Sequence, residues 1–335
     1  MNRGRDIIVL LGILLATIGL FLINLAKGSE DIPLSTVIDL LLGGEAENPA
    51  WSYIVENRLN RSFVAVSSGG ALAIAGLILQ GYFRNPLAGP DVLGISSGAA
   101  LGVALVVLGG MSLTVGGGNI GLVVSGILGA LLMMLLLLFV SRYIKSSVTL
   151  LVAGLMFGYF SGALINVLFQ LAGMEETREY IIWTLESFDM MHGNGGMLYF
   201  VGVLSCCVLS LFMVKALNAL VLGNDYAASS GVNLKLAKAL VILITGILAG
   251  IVTVYCGPVS FIGVAVPQLV RLVVLSKNHL LLIPISFLLG GLLAIASDII
   301  VRLSDSSLPL NTVTAIIGAP IIIWTIIQMN RRAEI

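Results

Sequence analysis

Few residues in this chain could do chemistry. Imidazole and thiol groups amount to two histidines, His192 and His279, and three cysteines, Cys206, Cys207 and Cys256. All three cysteines lie in apolar runs and two are adjacent, which gives neither a disulfide framework nor metal-ligand spacing. They read as small core residues. No Gly-Lys dipeptide occurs anywhere, so the loop Gly-x-x-x-x-Gly-Lys-Ser/Thr that cradles nucleotide phosphates is missing. His-Glu-x-x-His is missing too, and an intramembrane hydrolase is not expected. An ion-coupled carrier holds a carboxylate or histidine in mid-membrane, because such a group is costly to insert and persists only for function. No mid-span position here carries one, and no ring of charges or carbonyl filter signals an ion pore. Catalytic residues and metal sites are therefore predicted as none.

The elements around these residues are apolar. Of 335 residues, 58% are hydrophobic and 10% charged, against about 25% charged in a soluble domain. The 17 basic and 17 acidic side chains cancel, which removes nucleic acid as a partner, since phosphate binding needs a basic surplus. The reading is an all-α integral membrane protein, a single transmembrane domain over residues 1–335. Uncharged runs predict about ten spans, approximately 7–26, 62–83, 92–111, 119–141, 146–172, 195–214, 239–256, 258–275, 280–300 and 312–329. Two divisions rest on breakers, Gly116-Gly117-Gly118-Asn119 and Cys256-Gly257-Pro258. The first run follows Arg3 and Arg5 but has a poor small-residue cleavage site, so it reads as a retained span.

Ten spans put both termini on one side. With the termini in the cytoplasm, twelve Lys and Arg fall inside and five outside: Lys27, Arg58, Arg61, Arg178 and Arg302. This follows the positive-inside rule. The acids sort the other way, four inside and thirteen outside, so neutrality is a cancellation between two faces. Residues 33–42 place Leu34, Val37, Ile38 and Leu41 on one helical face, suited to a short interfacial helix. Residues 175–189 suit another around Trp183. Asp298 and Arg302 stand i, i+4, the favourable order for a helix pair. Small residues run through 67–76 and 94–102, as close helix packing requires. Gly89-Pro90-Asp91-Val92-Leu93-Gly94 and Gly257-Pro258-Val259-Ser260-Phe261-Ile262-Gly263 follow spans of opposite polarity, half a chain apart, as an inverted repeat would give.

Three longer stretches carry a resemblance. They are Arg58-Leu59-Asn60-Arg61; Gly76-Leu77-Ile78-Leu79-Gln80-Gly81; and Arg84-Asn85-Pro86-Leu87-Ala88-Gly89-Pro90-Asp91-Val92-Leu93-Gly94-Ile95-Ser96-Ser97-Gly98-Ala99. The pattern resumes at Leu222-Gly223-Asn224-Asp225-Tyr226-Ala227, at 257–263 with Pro267-Gln268-Leu269-Val270-Arg271, and at Leu308-Pro309-Leu310-Asn311 with 314–320. In order and spacing this resembles the permease subunits of type II ABC importers, the iron-siderophore, haem and vitamin B12 group. Four positions depart from the group's usual residues: Asn60 for proline, Glu186 for glycine, Gln268 for histidine and Asn311 for glycine.

The resemblance implies a homodimeric permease core in a bacterial plasma (inner) membrane, a second copy of the chain being its first partner. Two cytoplasmic ATP-binding subunits would hold ATP and Mg, this chain having no cofactor and no enzyme activity of its own. An extracytoplasmic binding protein would deliver the solute and dock on Arg58, Arg61 and Arg302. Headgroup binding or pairing within the chain is the alternative for these arginines. Residues 220–235 would couple to the ATPase through Leu222, Gly223, Asn224, Asp225, Ala227, Ala228 and Gly231, while Arg84, Asn85, Pro86, Ser146 and Ser147 would line a cytoplasmic gate. The expected cargo is a bulky metal chelate, a ferric siderophore first, then cobalamin or haem. An ion-coupled secondary transporter is the alternative class.

Overall fold

The computed structural model describes residues 3–333 apart from 29, 47, 111–119, 145, 186–187, 189–194 and 305–307. His192, Glu186, the 116–119 break and the side chain of Ser147 lie outside the described residues. In chain order the helices are α1 (Arg3–Ala26), α2 (Leu34–Leu41), α3 (Pro49–Phe83), α4 (Ile95–Val107), α5 (Ile120–Val140), α6 (Ser147–Leu171), α7 (Met174–Thr184), α8 (Gly195–Phe212), α9 (Val214–Leu222), α10 (Asn224–Ser229), α11 (Leu234–Cys256), α12 (Ile262–Val273), α13 (His279–Leu303) and α14 (Leu310–Ala333). Among the described residues seven helices are long and apolar enough to cross a bilayer, and α8 with α9, bent by 54°, make an eighth if taken as one broken span. Helices α4 and α12 are apolar but only 13 and 12 residues long, about 20 Å against a hydrocarbon core of roughly 30 Å. The apolar runs around them are longer, but Gly and Pro turns take the flanking residues out of the helix.

Helix α3 is the axle. Asn48 caps it by accepting from the Ala50 N–H at 3.0 Å, Pro49 fills the first helical position, and Arg84 ends it in the left-handed conformation (φ 49). It therefore starts 13 residues before the span read from hydropathy, because hydropathy marks where a helix enters apolar surroundings rather than where it begins. Its 35 residues extend about 52 Å, and nearly everything from Arg61 onward is buried. Its small residues let other helices come close. A Cβ on Gly69 would strike the Gly290 carbonyl of α13, and one on Gly76 would strike the Gly263 carbonyl of α12. Helix α1 lies along α13 and is pinned at three levels. The Leu275 N–H donates to Asp6 Oδ1 at 3.2 Å, Thr17 donates to the Leu288 carbonyl at 3.4 Å, and Asn24 donates to Asp298 at 3.1 Å.

The segments α3–α6 and α11–α14 share one plan: a long helix, a Gly-Pro turn, a half-length helix, then two long helices. They run in opposite directions. Helix α3 ends beside Val221 of α9, near where α11 begins, whereas α11 ends with Cys256 against Ser68 in the middle of α3. The two half-helices start from a common level, near Gly76, seven residues or about 10 Å from the end of α3. From there α4 leaves toward the end marked by Arg58, and α12 runs toward the end marked by Arg84, its Arg271 reaching Gln80 at 2.7 Å. Each is preceded by a left-handed residue, Gly94 (φ 70) and Phe261 (φ 69). Glycine adopts that conformation freely and phenylalanine under strain. A side chain on Gly318 of α14 would strike Phe261, and one on Gly94 would strike Gly154 of α6.

Gly76→Ala is expected to push α12 off α3, costing about 1–3 kcal/mol. Gly12→Ala, where nothing lies within 4 Å, is expected to be neutral. Thermal unfolding of both variants in detergent checks the contrast.

Candidate functional site

At the Arg58 end, three arginines converge on the last turn of α1 and the loop after it. Arg58 donates to the carbonyls of Leu25 (2.9 Å), Ala26 (3.2 Å) and Glu30 (2.6 Å). It thereby satisfies carbonyls that the end of α1 leaves open. Arg61 grips Asp298 of α13 through Nε (2.8 Å) and Nη2 (2.7 Å), and Arg302 donates to the Lys27 carbonyl. Asp298 is fully buried, while Arg58 and Arg61 are 7% and 9% exposed. Gly28 sits between the Arg58 and Arg302 guanidiniums with no room for a Cβ. Around them Lys27 bonds Asp31 at 2.6 Å and holds that carboxyl below its usual range, and Trp51 donates to Glu30 at 2.8 Å. The three sequence-predicted docking residues are thus brought together, and each already has partners within the chain.

In the middle of the bundle sits a carboxylate that span-counting placed in an inner loop. Asp91 accepts from Ser96 Oγ at 2.8 Å, in the first turn of α4, and from the backbone N–H of Phe261, which opens α12. One side chain thus links two helix starts, where the positive dipole end favours a negative partner. Only the Gly-Pro echo between the two halves signalled it. The stretch Gly94-Ile95-Ser96-Ser97-Gly98 has the spacing of a nucleophile elbow, but no strand precedes it and its Ser96 hydroxyl is turned to Asp91 rather than to a histidine. A second polar knot joins α3, α8 and α11 through Tyr199, Ser67, Ser68 and Cys256, with Ser68 Oγ 2.5 Å from the Tyr199 hydroxyl.

At the Arg84 end, residues 220–235 form a small projecting unit. Gly223 (φ 126) and Gly231 (φ 83) bound α10 in conformations open to glycine. The six-residue α10 between them is anchored by the fully buried Ala227, packed with Leu220 and Ala237. Leu222 and Tyr226 stay exposed at 66% and 52%, as do Asn224, Asp225 and Ala228. Arg84 Nη1 lies 3.9 Å from the Cβ position of Gly223, which places the predicted gate beside the coupling unit. Asn85 closes its own turn by accepting from the Leu87 N–H at 2.9 Å, and the Pro86 carbonyl accepts from Gln268 at 2.8 Å. Ser146 caps α6 and makes no hydrogen bond to residues 84–86. Of the positions that depart from the usual pattern, Gln268 bonds Pro86 and Thr325, Asn311 accepts from the Ser260 N–H at 3.3 Å, and Asn60 is exposed.

A multi-pass helical bundle with two inverted halves and half-helices meeting inside it is a membrane permease. The model of the FecCD transport family matches residues 14–328, and the chain belongs to that family. It is 31% identical over 99% of both chains to the hemin transport system permease protein of Yersinia pestis. It is 32% identical to the vitamin B12 import system permease protein of Klebsiella pneumoniae, over 96% of this chain and 94% of that one. Among solved structures, an inward-facing metal-chelate type ABC transporter superposes with a TM-score of 0.83 at 28% identity, covering 96% of this chain and 99% of that one.

Removing one partner of a buried ion pair costs about 3–5 kcal/mol, while an apolar replacement of both is close to neutral. Arg61→Met and Asp298→Leu should each lower the unfolding midpoint markedly, and the double variant should recover most of the loss. Four-way thermal denaturation measures this coupling.

Proposed function

We propose that this chain is the permease subunit of an ATP-driven importer, carrying a bulky metal chelate from a binding protein to the cytoplasm by alternating access. The observation that carries this reading is the match of the FecCD transport family over residues 14–328, joined to a projecting unit between Gly223 and Gly231 suited to a moving partner. A ferric siderophore is the first cargo. Haem is the second reading, favoured by full-length similarity to a hemin permease, and cobalamin the third. The working unit is a homodimer with two cytoplasmic ATPase subunits, which bind ATP and Mg. The Arg84 end faces the cytoplasm together with both termini, as the excess of Lys and Arg there favours.

In this reading the ATPase seats on the exposed face of 222–228, and Gly223 and Gly231 let that unit tilt. Its motion reaches Arg84 beside Gly223, Asn85 and Pro86 through the chain, and Gln268 through Pro86. The two inverted halves then rock about the level where α4 and α12 begin, with Ser146 and Ser147 moving at the start of α6. The binding protein docks at the other end through Arg58, Arg61 and Arg302. Its carboxylates replace neutral carbonyls at Arg58 and Arg302, a favourable exchange because a carboxylate sets a full opposite charge against the guanidinium where a carbonyl offers only a dipole. Arg61, held by Asp298, keeps α3 and α13 in register beneath them.

Two experiments test this. Replacing residues 222–231 with a flexible Gly-Ser linker should leave ATP hydrolysis by the assembled complex but abolish uptake; retained uptake would rule out the coupling role. Arg58→Glu should slow association of the binding protein and remove the salt sensitivity of its on-rate. The chelate that copurifies with the cognate binding protein decides between siderophore, haem and cobalamin.

A further inference from the structure

At the Arg84 end, a cavity of about 500 Å³ opens between the ends of α3 and α12 and the start of α13. Its charged lining is of one sign: Arg84, Arg271 and Lys277, with no carboxylate among the lining residues. None of the three makes an ion pair with any described residue. Arg271 donates to the neutral Gln80 at 2.7 Å, and the buried His279 beside it is held through Nδ1 by Asn218 at 2.7 Å. The neighbouring acid Asp6 is buried and accepts from the Leu275 N–H. Three like charges around one partly enclosed volume repel one another, and low-dielectric walls focus their field on whatever anion enters.

Arg84 adds a second observation. It occupies the left-handed position that ends α3, with φ 49, where glycine is the unstrained choice. Arginine costs backbone energy there, and this residue lines the cavity. The surroundings identify the ligand. Val273, Leu275 and Leu280, at or beside the lining, are exposed at 42%, 49% and 59%, so the charged floor lies under an apolar edge. A phosphate group carried on acyl chains matches both parts, and basic pockets between membrane helices at this depth take anionic headgroups.

We infer that this cavity is a phosphate-binding site, filled by the headgroup of an anionic phospholipid and bracing α3, α12 and α13 beside the coupling unit. The inference is independent of which solute the permease carries. The test uses the purified full-length chain in detergent with phosphatidylglycerol and phosphatidylcholine of matched chains at equal mole fraction, read by native mass spectrometry. Phosphatidylglycerol should be retained in preference. The double variant Arg84→Gly, Lys277→Gln should weaken it about 30-fold and leave phosphatidylcholine unchanged. Glycine suits the left-handed position and Lys277 is exposed in a loop, so this variant should fold; Arg84→Lys should restore part of the preference. If inorganic phosphate stabilises the parent but not the double variant, and displaces phosphatidylglycerol, the site stands and free phosphate is a second source. Equal binding of both lipids with no phosphate effect overturns the site, as does a double variant that keeps the preference. The same null result would follow if the cavity instead seats an acidic segment of the ATPase.

Discussion

Two helices that begin inside an apolar bundle, about 10 Å from one end of α3, create the constraint on which the rest of this structure depends. Each brings a turn of unpaired N–H groups to a place without bulk water, where an unsatisfied group costs several kcal/mol. Backbone carbonyls take several of these groups, the Pro90 carbonyl accepting from Ile95 and the Phe261 carbonyl from Val264 and Ala265, and one carboxylate ties the two starts together. Asp91 lies between the starts of α4 and α12, accepting from Ser96 on one and from the Phe261 N–H on the other. The approach that makes this possible is backbone on backbone, Gly76 against the Gly263 carbonyl. A β-carbon there would part the helices and leave the carboxylate bridging a gap. The strained Phe261 is the visible cost of opening two half-helices against each other.

From that junction the two ends of the bundle differ in how they use charge. At the Arg58 end, cations are spent inside the chain, on the carbonyls that close α1 and on Asp298. A buried pair of this kind specifies how helices register more than it stabilises them, and here it joins α1, α3 and α13 at one level. At the Arg84 end, Arg84, Arg271 and Lys277 pair with no carboxylate among the described residues and line a cavity next to the segment between Gly223 and Gly231. One end is thus tied down and the other is poised to accept something. An importer whose energy source lies on one side needs such a difference, since a rigid frame lets movement at the Arg84 end become a change of packing in the middle.

Much of the architecture was legible in the residues. Helical content, the apolar segments and the amphipathic α2 follow from local composition, because a membrane helix advertises its length and polarity within its own twenty residues. The Gly-Pro echo disclosed the inverted halves, since a half-helix needs a turn before it. The half-length of α4 and α12 was not legible: the apolar run is long in both cases, and hydropathy does not distinguish residues crossing a bilayer as helix from residues folded back inside protein. Asp91 was misplaced for the same reason, since a charge beside a Gly-Pro turn reads as a loop until the loop is seen to climb into the bundle.

The sequence by itself determined that this is a membrane protein, that its charges sort by face and that its motifs belong to one permease group, because each of these is a sum over neighbouring residues. Only the tertiary structure decided what the few charges do. Arg61 and Asp298 are 237 positions apart, Arg271 and Gln80 are 191, and no local pattern couples such pairs. Whether an arginine faces a partner protein, a carbonyl or a cavity depends on which helix the fold lays beside it. That is set by the fit of small residues over the whole bundle.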